Sequence, residues 1–91
     1  MDVNAKITVM GFVQGVGYRW FADRAARKYN LKGFVENHIN GDVFIEVEGE
    51  ETMIKEFIND LKLGPRGAQV KDFKVEWDTP RHLFINFRIK A

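Results

Sequence analysis

The sequence contains no cysteine, carries almost no net charge and has no long apolar run. Without cysteine, the chain can form neither disulfide bonds nor thiolate metal sites, and it has no cysteine nucleophile. Lysine and arginine number 14 against 13 for aspartate and glutamate, so no overall field would draw the protein to nucleic acid or to an anionic membrane. Any attraction for an anion must therefore be local.

Membrane spans and export signals are also lacking. No segment approaches the roughly 20 apolar residues of a transmembrane helix, and the N-terminal segment lacks the basic start and apolar run of a signal peptide. We therefore expect a soluble, cytoplasmic protein that does not contact membranes. The chain has 91 residues, 45% of them apolar, and we expect residues 1–91 to form one domain. Nothing in the sequence requires more than a monomer.

Hydrophobic periodicity predicts five strands and two helices. Apolar residues alternate, as in strands, over residues 6–13, 33–37, 42–48, 71–77 and 83–89. They recur at helical spacing over residues 20–30 and 54–61, and Asn40-Gly41 is typical of a tight hairpin turn. The order βαββαβ with a further terminal strand predicts a ferredoxin-like α+β fold. This is a two-layer sandwich with both helices on one face of an antiparallel or mixed sheet.

Acidic residues follow one another closely in and after the third predicted strand. Its apolar residues are expected to face the core, and Glu46 and Glu48 to face solvent. Together with Glu50 and Glu51 they could suggest a metal site. A solvated strand face, followed by the acidic first turn of a helix, explains them more simply, so we predict no metal there.

A glycine-rich stretch, VQGVGYRW, lies where the first strand gives way to the first helix. Gly15 and Gly17 let the main chain approach a ligand without an intervening Cβ. Such a turn can present several N–H groups to an anion, and the following helix end reinforces them. Taken alone, however, glycines at this spacing are more typical of a simple tight turn.

Arg19 lies at the N-terminal end of the predicted helix, where a cation opposes the helix dipole at a cost of about 0.3–1 kcal/mol. A compensating anion such as phosphate would explain it. The alternative is a surface pair with Asp23, one turn along, although Asp23 could equally pair with Arg27. The residues alone slightly favour the anion.

The same stretch opens a longer pattern that resembles the acylphosphatase family. GFVQGVGYR, Gly11 to Arg19, matches that family's signature of a strand ending in G-x-V-Q-G-V-G-[FY]-R. GFVEN followed by HINGDV, Gly33 to Val43, matches a second family segment. Gly64-Pro65 and the closing pair of Phe87 and Ile89 follow in the family's order. The matches together span nearly the whole chain, which makes them far more specific than the glycines.

The resemblance implies hydrolysis of the carboxyl-phosphate bond of a small-molecule acyl phosphate to carboxylate and inorganic phosphate. By position, Arg19 matches the phosphate-binding arginine, and Asn37 matches the asparagine that orients the attacking water. The residues that match the family's phosphate cradle are Gln14, Gly15, Val16, Gly17 and Tyr18. We expect phosphate or sulfate to bind in this loop. The resemblance implies neither a metal nor a cofactor.

Two positions depart from the family pattern. Phe12, after Gly11, and Glu36, before Asn37, stand where the family commonly has arginine. An exposed Glu36 would lower the local positive potential, although its side chain should point to the opposite face from Asn37. These departures predict weaker activity or an altered substrate preference, not loss of the core function.

The two histidines, His38 and His82, invite an acid–base role. Both fall in predicted loops with no carboxylate at a suggestive spacing, so we interpret them as solvated. No general base is then assigned, and the oxygens of the phosphate itself are expected to accept the proton of the attacking water.

Two other function classes fit the same element order. An RNA-recognition module is also βαββαβ, and LKGFVEN contains the K-G-F of its main motif, but on the second strand instead of the third. The acidic third strand and the low net charge argue against RNA, so no nucleic-acid partner is expected. A catalytically silent anion-binding or regulatory domain is the third interpretation. The presence of both Arg19 and Asn37 speaks against it.

Overall fold

The computed structural model describes residues 1–91 as a five-stranded sheet with two helices. The elements are β1 (Asp2–Phe12), α1 (Tyr18–Lys28), β2 (Lys32–Asn37), β3 (Val43–Glu50), α2 (Glu51–Leu63), β4 (Gln69–Asp78) and β5 (Phe87–Ile89). The strand order is β4-β1-β3-β2-β5, and β2 and β5 form the one parallel pair. The ferredoxin-like α+β sandwich predicted from the sequence is confirmed.

Each helix buries one stripe against the same face of the sheet. The apolar residues of α2 recur three and four positions apart and are almost fully buried: Ile54, Phe57, Ile58 and Leu61. The stripe of α1 is built mainly from alanines, which let that helix lie close to the strands. The core comprises 18 buried residues from both layers. Crossing a membrane would need a longer and more hydrophobic helix than either α1 or α2.

The last predicted strand is wrong over its first half. β5 begins at Phe87, whereas Leu83 and Ile85 are 68% and 88% exposed. The backbone N–H groups of Arg81 and His82 donate to the Glu48 carboxylate, on the sheet face away from the helices. These hydrogen bonds to the Glu48 side chain therefore hold the segment over the face of the sheet. As a result, the segment joins the edge of the sheet as a strand only from Phe87 onward.

The same contacts overturn the prediction that Glu46 and Glu48 face solvent. Both are buried, with 5% and 7% of their surface exposed. The Asn4 amide nitrogen donates to both carboxylates at 2.9 and 2.8 Å, and Arg81 lies 3.4 Å from Glu46. Alternation correctly assigns both residues to the face opposite the helices. The segment that covers this face contains Arg81 and His82, which follow Glu48 by 33 and 34 residues. Local periodicity cannot reveal a contact between segments so far apart in the sequence.

Glu48 is expected to make the stability of the protein depend on pH. Burial alone would raise its pKa, but the Arg81 N–H, the Asn4 amide and the His82 N–H outweigh burial and lower the pKa below its usual value. A lowered pKa in the folded state stabilises the fold above the unfolded pKa, about 4.3, and this contribution is lost as pH falls through the folded value.

We expect Glu48→Gln to lower the free energy of unfolding at pH 7 by about 1–3 kcal/mol, because buried donors lose their charged acceptor. The difference from wild type should shrink below about pH 4.3. Urea denaturation between pH 3 and 7 measures both effects. Glu76→Gln, which alters an exposed carboxylate of β4, is the control. A deficit that stays constant across this range would show that the charge of Glu48 does not stabilise the fold.

Candidate active site

The loop between β1 and α1 has the backbone geometry of an anion-binding turn. Gly15 and Gly17 have φ angles of 77° and 79°, on either side of Val16. Alternation between left-handed and ordinary backbone turns successive N–H groups toward one side of the chain. A Cβ added to either glycine would meet no atom within 4 Å, so glycine is required by the backbone conformation and not by crowding.

The start of α1 leaves several hydrogen-bond donors free. The N–H groups of residues 15–20 make no hydrogen bond within the protein, and the first helical bond runs from Phe21 N to Gly17 O at 3.0 Å. Gly17 is the N-cap and has no side chain to satisfy these groups, and the first turn contains no acidic residue. Unpaired N–H groups and the positive end of the helix dipole together favour an anion.

Arg19 extends from this first turn toward the C-terminal strand. Its Nη1 atom donates to the carbonyl oxygen of Lys90 at 2.7 Å. It forms no salt bridge, because Asp23 pairs with Arg27 at 3.1 Å. This excludes the surface pair with Asp23 that the sequence left open. With one guanidinium N–H used by Lys90, the other four remain as donors beside the glycine loop.

Asn37, the last residue of β2, lies in the same cavity as Arg19. The cavity has a volume of about 160 Å³. Its lining residues come from the loop, α1, β2 and β5: Val13, Gly15, Gly17, Tyr18, Arg19, Trp20, Asn37 and Ile89. The Oδ1 atom of Asn37 is buried without a hydrogen-bond partner. Buried polar atoms are rarely left unpaired, so this amide is available to a water molecule or a ligand.

Gln14 and Tyr18 hold the loop in place with their side chains. Gln14 Nε2 donates to the carbonyl oxygens of His38 and Asp42, at 2.8 and 2.9 Å, which ties the loop to the β2–β3 turn. The Tyr18 hydroxyl donates to Leu61 O in α2, and burial raises the pKa of its phenol. Gln14 does not line the cavity. Its contribution to anion binding would therefore come from its backbone and from this fixing of the loop.

Val16, the remaining residue of the predicted cradle, is partly buried against the core and does not line the cavity either. Three lining residues lie outside the sequence predictions: Val13, Trp20 and Ile89. Trp20 follows Arg19 directly and is 64% exposed. The hydrophobic periodicity of the sequence did not indicate that this tryptophan would be exposed beside the loop. Ile89 reaches the site only because β5 pairs with β2, which no local pattern reveals.

Both histidine side chains are exposed, as predicted, and neither lines the cavity. However, His38 does have a carboxylate partner, although the sequence spacing suggested none. Its Nε2 atom lies 3.1 Å from Glu36, and its ring stacks on Phe44 with 5.3 Å between centroids. Glu36 does not line the cavity. Phe12, the other departure from the family pattern, is 60% exposed and also lies outside it.

Comparison with known proteins identifies one family. The Acylphosphatase family model matches residues 5–89. An acylphosphatase from Moorella thermoacetica is 47% identical over 89 residues, which cover 98% of this chain and 95% of the relative. The crystal structure of acylphosphatase from Bacillus subtilis superposes with a TM-score of 0.95 at 34% identity, covering 98% of this chain and 99% of that one.

A part of a much larger protein also matches. Full-length HypF, in its phosphate- and nucleotide-bound form, superposes with a TM-score of 0.89 at 34% identity. The match covers all of this chain but only 12% of HypF. The same architecture therefore occurs both in small proteins of this length and within a longer chain.

Proposed function

Because the chain belongs to the acylphosphatase family, we propose that this enzyme hydrolyses small acyl phosphates by metal-independent attack of water at phosphorus. Arg19 and the backbone of residues 14–18 bind the phosphate, and Asn37 orients the water. The observation that carries the proposal is that Arg19, Asn37 and the glycines of the loop line one cavity, and that the N–H groups of this loop make no hydrogen bond within the protein.

The phosphate binds where positive charge is unopposed. The free N–H groups of residues 15–18 bind it from the main chain, and the guanidinium of Arg19 completes the shell. Bound phosphate also removes the unfavourable interaction between Arg19 and the helix dipole. The bond from Arg19 to Lys90 O supports this role, since it holds the guanidinium beside the loop before substrate arrives.

The attacking water binds at Asn37. The buried Oδ1 atom accepts a hydrogen bond from one O–H group of the water. This bond directs a lone pair of the water oxygen toward phosphorus. Asn37 lies on β2, and the loop that holds the phosphate follows β1, so the sheet sets the distance between water and phosphate. Gln14 strengthens this arrangement, because it ties the loop to the turn that begins immediately after Asn37.

The reaction needs little acid–base help from the protein. The water oxygen forms a bond to phosphorus while the bond from phosphorus to the carboxyl oxygen breaks. The electron pair of the broken bond leaves with the carboxylate. That leaving group has a conjugate acid of pKa about 4, as for a side-chain carboxyl, so no strong general acid is required. A phosphate oxygen accepts the proton of the water, and the products are carboxylate and inorganic phosphate.

Charge stabilisation therefore supplies most of the catalysis. Transfer of a phosphoryl group passes through a loose transition state whose equatorial oxygens need fixed positive partners. Arg19 and the loop amides are such partners, held by the protein before the reaction begins. A guanidinium in this position can contribute about 10³–10⁵ to the rate.

The remaining features of the proposal concern the whole chain. Residues 1–91 act as one domain, as a cytoplasmic monomer, with a small-molecule substrate and no nucleic-acid or membrane partner. An RNA-recognition module would need its sheet face open for bases. Here the segment around Arg81 and His82 hydrogen-bonds to Glu48 on that face, which supports the acylphosphatase function over RNA binding.

Metal independence is tested by hydrolysis of a simple aromatic acyl phosphate, benzoyl phosphate, with and without EDTA. We expect turnover far above the spontaneous rate in both, because the positive charge at the phosphate comes from Arg19 and the backbone. Inorganic phosphate should inhibit competitively, since it binds the same loop. Loss of turnover in EDTA, restored by a divalent cation, would contradict the mechanism. Absence of turnover in either condition would contradict the function.

A further inference from the structure

A second and larger cavity begins where the phosphate loop ends. It is a groove of about 540 Å³ between α1 and α2, and we call it the interhelix groove. Gly17 and Trp20 line both it and the smaller cavity that contains Arg19 and Asn37. From Trp20 the groove continues along α1 past Arg24 to Lys28, with Asp60 on the α2 side.

In-line attack determines where the rest of the substrate must lie. Water and leaving group occupy opposite sides of phosphorus in the transition state. Asn37, which orients the water, lines only the smaller cavity, whereas Gly17 and Trp20 connect that cavity to the interhelix groove. From this geometry we propose that the interhelix groove binds the acyl group of the substrate, and that Arg24 binds an anionic substituent on it. This inference rests on the proposed function.

The charges along the groove single out Arg24. Lys28 is already paired with Asp60 at 3.1 Å, and its ammonium lies over the Tyr29 ring. Arg24 forms no salt bridge with any carboxylate, and its guanidinium lies 5.9 Å from the centre of the Trp20 ring. The groove therefore offers one cation that is not neutralised, and its planar donors suit a carboxylate or a phosphate.

The spacing fits a short bifunctional acyl group. Arg24 follows Trp20 by four residues, which is about 6 Å along the helix axis. An acyl chain of a few carbons can span that distance from a phosphate held at the start of α1. Trp20 and Phe21 offer apolar surface to the carbons between. The substrate class is thus a small acyl phosphate with a second negative group at its far end.

The test compares an anionic and a neutral acyl phosphate, succinyl phosphate and benzoyl phosphate, on wild type and Arg24→Gln. We expect Arg24→Gln to raise KM for succinyl phosphate about five- to tenfold and leave kcat within about twofold, since ground-state and transition-state binding are lost equally. KM for benzoyl phosphate and competitive inhibition by inorganic phosphate should change less than about twofold. Arg24→Lys, which keeps the charge but loses the planar fork, should restore part of the affinity for succinyl phosphate.

Arg27→Gln is the matched control, because Arg27 lies on the same helix but pairs with Asp23 outside the groove. It should leave both KM values near those of wild type. An equal rise in KM for both substrates in Arg24→Gln, or the same effect in Arg27→Gln, would overturn the assignment of Arg24 and leave the proposed function standing. If wild type hydrolyses neither substrate, the proposed function is wrong, and so is the proposal that the interhelix groove binds the acyl group.

Discussion

Arg19→Gln is expected to reduce kcat/KM for acyl phosphate hydrolysis by about 10³-fold or more. Glutamine keeps much of the side-chain length but removes the charge that, in the proposed mechanism, faces the equatorial oxygens of the transferred phosphoryl group. Because charge builds on these oxygens in the transition state, kcat should fall as well as the affinity for phosphate. Steady-state kinetics on benzoyl phosphate, with inhibition by inorganic phosphate, measures both.

A second measurement distinguishes this effect from damage to the fold. Phosphate should raise the melting temperature of wild type, because it binds only the folded protein, and should raise that of Arg19→Gln much less. Without phosphate the two proteins should be similar in stability. The lost bond to Lys90 O, worth about 0.5–1.5 kcal/mol, is offset by relief of the helix dipole, worth about 0.3–1 kcal/mol.

Two further arginine variants sharpen the comparison. Arg19→Lys keeps the charge but loses the planar fork, so its activity should fall between wild type and Arg19→Gln. Arg27→Gln removes an arginine from the same helix outside the cavity and should retain wild-type kcat/KM. Equal activity of Arg19→Gln and Arg27→Gln would show that Arg19 is not the phosphate ligand.

Asn37→Ala is expected to reduce kcat by about 10²–10³-fold, with KM within about threefold of wild type. In the proposed mechanism, Arg19 and the loop amides still bind the phosphate in this variant, but the water loses the group that orients it. The variant should be at least as stable as wild type, since the substitution removes a buried oxygen that has no hydrogen-bond partner. Kinetics on benzoyl phosphate, combined with urea denaturation, measures this separation of activity from stability.

Asn59→Ala alters an exposed asparagine of α2 and serves as the control. It should match wild type in both measurements. If Asn37→Ala raised KM strongly and left kcat unchanged, Asn37 would bind the substrate instead of the water. If it lost stability in proportion to its activity, its role would be structural.

Much of the fold could be predicted from the sequence because its signals are local. Alternation and helical spacing identified all seven elements. The boundaries were less exact. α1 begins at Tyr18, two residues before its predicted start at Trp20, because its N-cap is a left-handed glycine and not one of the side chains that usually mark a helix start.

The errors at Glu46, Glu48 and the last strand share one physical cause, which is contact between distant segments. The sequence predicted that Glu46 and Glu48 are solvated, because the alternation within a strand contains no information about the segment near Arg81 that covers them. The same holds for the site. The motifs indicated Arg19 and Asn37, but the bond from Arg19 to Lys90 O joins residues 71 positions apart and emerges only from the fold.

Benzoyl phosphate hydrolysis in water labelled with heavy oxygen tests attack at phosphorus most directly. The enzyme is kept in EDTA, and both products are analysed by mass spectrometry after correction for spontaneous hydrolysis. Attack by a water held at Asn37 on a phosphoryl group held by Arg19 places the label in inorganic phosphate. Label in the benzoate would mean that water attacks the carbonyl carbon, and would contradict the roles proposed for Arg19 and Asn37.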